Sequence, residues 1–125
     1  TLPLRIEIDC LRMESYGNHS IAISDPRFSA PLKNNIEGKS VLLVDDILDT
    51  GRTLSSLISY LDRQNPSSIR TCVLLDKPAR REVDIEADFV GFTIPDKFVV
   101  GYGLDYAERF RALPYIATVD LSKIQ

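Results

Sequence analysis

Apolar and polar residues alternate at the start of the chain. Leu4, Ile6, Ile8 and Cys10 are apolar, and Arg5, Glu7 and Asp9 stand between them. A period of two predicts a strand, here over residues 4–13. Further strand-like runs fall at 41–44, 69–75, 89–94 and 115–119. The run Val41-Leu42-Leu43-Val44 has no polar alternation, as expected of a strand buried on both faces of a parallel sheet. After it, Leu54, Leu57, Ile58 and Leu61 recur at i, i+3, i+4 and i+7, the apolar stripe of a helix. Asn65-Pro66 stops that helix. Strand, short loop, helix and strand make a βαβ unit with a right-handed crossover. The pattern predicts an α/β chain with a mostly parallel central sheet flanked by helices.

Two stretches lack periodicity. Residues 16–39 carry Gly17, Pro26, Pro31, Asn34, Asn35 and Gly38, and an irregular segment of ~20 residues inside a domain is usually functional or disordered. Residues 96–104 carry Gly101 and Gly103 and read as a second loop. The 125 residues suit one domain, 1–125, with a real core. The chain opens at Thr1 and is almost at once in a strand-like run, so the expectation is that an N-terminal segment precedes it.

Composition narrows the function without choosing it. Net charge is −3 and no Lys/Arg block exceeds two residues, which argues against a duplex nucleic-acid binder. No apolar run approaches the ~20 residues of a membrane span, and no signal peptide is recognisable. Cys10 and Cys72 both sit in strand-like runs and read as buried, reduced thiols, which fits the cytoplasm. His19 is the only histidine, so a histidine-rich metal site or a Ser-His-Asp triad gains no support.

The chemistry concentrates in Val41-Leu42-Leu43-Val44-Asp45-Asp46-Ile47-Leu48-Asp49-Thr50-Gly51-Arg52-Thr53. Open α/β sheets bind ligands at the carboxyl ends of their strands, where Asp45 and Asp46 are expected. Asp49-Thr50-Gly51-Arg52-Thr53 then leads into the helix, whose first N–H groups have no internal partner and carry the positive end of the dipole. Gly51 allows positive φ and close backbone approach to a ligand. Thr50 and Thr53 add hydroxyls, and Arg52 adds charge. Such a loop cradles an anion, while two adjacent carboxylates suit vicinal hydroxyls or a divalent cation. A phosphate cradle beside a diol clamp describes a ribose 5-phosphate. Singly, the acids could be solvated turn residues and Gly51 a helix entry; the order after this strand is what favours the site.

The stretch resembles the signature of type I phosphoribosyltransferases. Ser15-Tyr16-Gly17, Leu75-Asp76-Lys77, the run from Pro95 to Tyr106 and Phe110-Arg111-Ala112-Leu113-Pro114-Tyr115 are similar to the hypoxanthine-guanine branch. The resemblance covers about residues 4–119. It implies a type I phosphoribosyltransferase fold with its N-terminal part missing, since nothing before Leu4 supplies the family's pyrophosphate-binding loop. It implies transfer of the 5-phosphoribosyl group from phosphoribosyl pyrophosphate to hypoxanthine or guanine, giving IMP or GMP and pyrophosphate. Asp45 and Asp46 would then hold the ribose hydroxyls and Mg²⁺, and Asp49 would be the general base near N7. Thr50, Gly51, Arg52 and Thr53 would bind the 5′-phosphate, and Lys77 would donate to the purine O6. Phe98 would stack on the base and the main chain of Val99 would read its edge. Asp105 would ligate a second Mg²⁺, Arg111 would contact pyrophosphate, and Ser15 and Tyr16 would open a mobile lid. A homodimer or homotetramer is expected.

Outside the resemblance, Lys77 could be a plain surface lysine, Phe98 a core residue, Asp105 a helix cap and Arg111 an ion-pair partner. Two other functions compete. A receiver domain also ends an apolar strand in two acids, but has no use for Asp49-Thr50-Gly51-Arg52-Thr53. A nucleotide-sensing, RNA-binding regulator on the same fold would need a basic face, and the pI is near 5.1.

Overall fold

The structure, a computed structural model, describes residues 4–13 and 31–124. Its elements are β1 (Ser40–Leu48), α1 (Arg52–Asp62), β2 (Ser68–Asp76), β3 (Phe89–Thr93), β4 (Phe98–Val100) and β5 (Ala117–Val119). Short 3₁₀ turns cover Pro78–Arg80 and Leu121–Lys123. One sheet has the order β1-β2-β3, and β4 and β5 form a second, antiparallel pair. β2 and β3 run parallel, with Val73 opposite Val90 and Leu75 opposite Phe92.

The chain divides into two compact units, Thr1–Leu42 with Thr53–Arg70, and Leu43–Arg52 with Thr71–Gln125. β1 and β2 each contribute residues to both. In the first unit, α1 buries Leu54, Leu57 and Leu61, three of the four predicted stripe positions, while Ile58 is half-buried. The helix unwinds through Gln64 and Asn65, whose N–H groups donate to the Leu61 and Asp62 carbonyls. Asn65 takes a positive φ of 55°, and Pro66 cannot continue the helix. In the second unit, Leu48, Val73, Leu75 and Val100 are almost fully buried.

Four expectations change. Residues 4–13 form no strand beyond an isolated bridge at Met13. Alternation makes a strand only where another strand completes the ladder. This segment is held by side chains instead. Asp9 accepts the N–H groups of Lys33 at 2.7 Å and Asn34 at 3.0 Å, and Lys39 pairs with Glu7 at 2.9 Å. Cys10 is consequently exposed, while Cys72 is half-buried in β2. β1 is not buried on both faces: Leu42 is 56 % and Val44 67 % exposed, and exposure alternates along the strand, so one face is open among the described residues. Finally, 96–104 is not wholly loop. Phe98-Val99-Val100 pairs with β5, and the strand expected at 115–119 shortens to Ala117–Val119.

Candidate active site

The loop between β1 and α1 is built from its carbonyls outward. The Leu48 carbonyl accepts the Lys77 N–H at 2.9 Å and Arg81 Nη1 at 3.3 Å. The Asp49 carbonyl accepts Arg81 Nη1 at 2.7 Å. The Thr50 carbonyl accepts the N–H groups of Glu82 at 2.9 Å and Val83 at 3.2 Å. Every one of these acceptors faces the segment after β2. A trans peptide points its N–H opposite to its C=O, so the N–H groups of Asp49, Thr50 and Gly51 turn away from that segment. Consecutive amides turned to one side make an anion-binding concavity.

Gly51 completes the turn with φ of 87°. The structure adds a steric reason for a glycine here. A Cβ there would meet Ile85 Cγ2 at 2.6 Å and Arg81 Cδ at 3.2 Å. A side chain at this position would crowd the protein's own Arg81–Ile85 segment. Arg52 is also redirected: its Nε pairs with the Glu82 carboxylate, although the side chain remains largely exposed. The Thr50 hydroxyl accepts the Arg52 N–H at 3.4 Å. Thr53 sits exposed in the first turn of α1.

Asp45 and Asp46 lie within β1, which runs two residues further than its acids, rather than at its end. Asp45 is half-buried and Asp46 exposed, as consecutive strand positions require. The Asp45 carboxylate nevertheless folds back to accept the Asp46 N–H at 2.9 Å. Its pKa is pushed up to about 6, first by burial, against the lowering effect of that N–H, and then by the neighbouring Asp46 carboxylate. Ionised acids held together in this way are relieved by a cation or by hydroxyl donors.

Asp49 follows at the mouth of the loop. Its Oδ1 lies 3.1 Å from Arg80 Nε. The approach lacks hydrogen-bond geometry, and Oδ1 is the one buried side-chain polar atom among the described residues left without a hydrogen-bond partner. An acceptor short of a donor suits receipt of a ligand proton. Lys77, at the end of β2, is only 5 % exposed, so it is not a plain surface lysine. No ion pair found among the described residues involves it.

The β4–β5 region carries the other expected residues. Phe98 is partly exposed and meets Tyr106 edge-on, ring centres 5.7 Å apart. Val99 is buried and pairs with Thr118. Gly101 has φ of 101°, and a Cβ there would collide with the Tyr115 carbonyl. Asp105 caps the following turn by accepting the Glu108 N–H at 2.8 Å, and its other oxygen meets Arg111 Nη2 at 3.0 Å. Arg111 also donates to the Gly103 carbonyl at 2.7 Å. Asp105 and Arg111 are therefore brought together, each engaged with the other. Among the described residues no group of three or more acids, cysteines or histidines is placed to hold a metal, so Asp45, Asp46 and Asp105 do not form one. Ser15, Tyr16 and the lid expected to follow them lie outside the described residues up to residue 30.

Reading the sequence alone missed Arg80, Arg81 and Glu82, which back the loop from some thirty residues away. Their only signal is a pair of arginines shortly after Asp76-Lys77, and it does not say where either side chain reaches.

Comparison with known proteins fits this geometry. Residues 4–107 match the phosphoribosyl transferase domain family. The hypoxanthine phosphoribosyltransferase of Salmonella typhimurium is 50 % identical over 115 residues, 92 % of this chain and 65 % of that protein. A hypoxanthine phosphoribosyltransferase structure from Staphylococcus aureus superposes with a TM-score of 0.86 at 44 % identity, over 94 % of this chain and 64 % of that one. The HGPRT-ase of Leishmania tarentolae, solved in complex with GMP, gives 0.70 at 40 % identity over 73 % and 54 %. This chain thus spans about two thirds of the relatives' length or less. The receiver-domain reading falls. With the family match covering most of the residues and the solved relatives superposing on most of the chain, the chain belongs to the phosphoribosyltransferase family and has the type I fold.

Proposed function

We propose that the whole protein transfers the 5-phosphoribosyl group of phosphoribosyl pyrophosphate to hypoxanthine or guanine, releasing IMP or GMP and pyrophosphate. The observation that carries this reading is Asp49 Oδ1, buried and lacking a hydrogen bond, one residue before the anion cradle. The named activity and the bound GMP of the relatives support it.

In this reading Thr50 to Thr53 receive the 5′-phosphate and Asp45 and Asp46 the ribose hydroxyls. Asp49 takes the N7 proton of the purine as the bond to the sugar forms, which requires it to part from Arg80. Lys77 donates to O6, a contact a 6-amino purine cannot accept. Phe98 stacks on the ring and the Val99 main chain reads its edge. Arg111 exchanges Asp105 for the leaving pyrophosphate, and Ser15 and Tyr16 belong to the lid that excludes water. The adjacent acids Asp45 and Asp46, the first with its pKa raised by burial, fit a Mg²⁺ ion that takes few protein ligands and completes its shell with phosphate oxygens and water. Asp105, once free of Arg111, would hold a second. Bound there, the ions would neutralise the charge of the leaving pyrophosphate. No helix among the described residues is long and apolar enough to cross a membrane. We read the chain as part of a single cytoplasmic domain that works as a homodimer or homotetramer without nucleic acid.

The test is Asp49→Asn in the full-length protein, which keeps the shape and removes the basicity. The expected loss in kcat is roughly 10²–10⁴, with the KM for the sugar donor little changed. An unchanged kcat rules out Asp49 as the base.

A further inference from the structure

Arg81 lies far from the loop in sequence and close to it in space. Its side chain is only 15 % exposed, and its guanidinium pairs with Asp76, itself 19 % exposed. Nη1 donates to two main-chain carbonyls, that of Leu48 at 3.3 Å and that of Asp49 at 2.7 Å. The next two residues hold the Thr50 carbonyl through their own N–H groups. Arg81 Cδ also stands 3.2 Å from where a Cβ on Gly51 would be. One side chain therefore bonds two consecutive carbonyls of the loop from behind and stands next to Gly51, and a half-buried carboxylate at the end of β2 fixes its angle.

We propose that Arg81, oriented by Asp76, is the positioning residue that sets the anion cradle for the 5′-phosphate, without touching the phosphate itself. The cradle has few means of its own to hold its shape. Gly51 is conformationally permissive, and Thr50 supplies only a long bond to Arg52. Without external donors to their carbonyls the Leu48–Asp49–Thr50 peptides could rotate, and each rotated peptide would withdraw an N–H from the anion. Arg81 blocks this by occupying the carbonyl side of two of the three peptides. A planar guanidinium with several donors in a fixed fork can serve two carbonyls and a carboxylate at once; an ammonium group offers one point charge. Sequence position also fits the role. Arg81 follows the turn at Pro78–Arg80, which carries the chain from the end of β2 towards the loop.

The inference rests on the proposed phosphate site, and the experiment separates the two. In the full-length protein, the affinities of GMP and of guanosine are measured by calorimetry for the parent, Arg81→Met and Arg81→Lys, alongside thermal melting. Guanosine lacks the phosphate, so the ratio of the two affinities reports the cradle alone. In the parent, GMP should bind more tightly than guanosine. Arg81→Met should shrink that advantage roughly tenfold while guanosine affinity stays within about twofold. Kinetically, KM for the sugar donor should rise while KM for the purine holds. Arg81→Lys keeps the charge beside Asp76 but not the fork, and should show the same split with a smaller loss. If Arg81→Met does not fold, Arg81→Lys alone decides the question. Equal weakening of GMP and guanosine in a folded variant would mean a merely structural arginine and overturn the proposal, as would an unchanged ratio. A parent protein with no preference for GMP over guanosine would overturn the phosphate site itself, and the positioning role with it.

Discussion

At the scale of single residues, the site shows what strain and burial impose. The raised pKa of Asp45 makes a stability statement with a definite sign. Its folded value, about 6, lies above the ordinary 3.8. The folded state therefore binds the proton more tightly than the unfolded chain does. That contribution is fully present below about pH 3.8 and is lost as pH rises through about 6. In magnesium-free buffer, Asp45→Asn should remove this downward slope and raise the melting temperature at pH 7.5. Melting curves from pH 4 to 8 check it, and parallel profiles for the two proteins would show that Asp45 is not the group responsible. Gly51 carries a different cost. Alanine there would have to adopt φ of 87° and push its Cβ against Ile85. A non-glycine residue in that region costs about 1–3 kcal/mol before any clash is counted. Gly51→Ala should thus lower stability and GMP affinity together, and calorimetry with melting reads both. A fully stable variant with lost affinity would show that this glycine serves the ligand and not the packing.

At the scale of elements, the sequence was legible wherever a pattern is local. The stripe from Leu54 to Leu61 predicted α1, and the strand-like runs at 41–44, 69–75 and 89–94 lie within or largely over β1, β2 and β3. The turn at Gly51 into α1 was legible too, because a glycine just before an apolar helical stripe marks a helix entry. What failed depended on distant partners. Alternation in residues 4–13 cannot reveal whether a neighbouring strand completes the ladder. Three residues, Phe98 to Val100, are too few to show a period, although Val99 and Val100 are both β-branched. The side of Gly51 that faces protein depends on Arg81 and Ile85, which no local pattern joins to it. The helix itself offers a quantitative check. Leu57 is buried mid-helix, between Leu54 and Leu61. Truncating such a residue removes apolar contact and leaves a cavity, so Leu57→Ala should cost about 2–5 kcal/mol. Urea denaturation of the full-length protein measures it, and a cost below about 1 kcal/mol would mean that the site collapses or that the residue is not held in a packed core.

At the scale of the whole molecule, the outer strands of the sheet β1-β2-β3 expose apolar side chains among the described residues. All five residues of β3 are exposed, among them Phe89, Val90 and Phe92, and β1 exposes Leu42 and Val44. Exposed apolar side chains on edge strands are a ready surface for association, because unpaired backbone groups and apolar area lie side by side. The comparison proteins are longer, and this chain spans only 65 % of the Salmonella relative. The 125-residue chain on its own should therefore bind a hydrophobic dye strongly and self-associate as concentration rises. A chain extended to the relatives' length should do both less, since additional residues can cover this surface and restore the larger buried fraction of a longer domain. Dye fluorescence and sedimentation velocity on the two proteins distinguish the cases. Equal dye binding and a concentration-independent monomer in both would show that Phe89, Val90, Phe92, Leu42 and Val44 stay in water in the complete protein. Substituting Phe92, 65 % exposed, with lysine gives an independent reading. Phe92→Lys should reduce association of the short chain and destabilise the extended one, because a charge would then have to leave water.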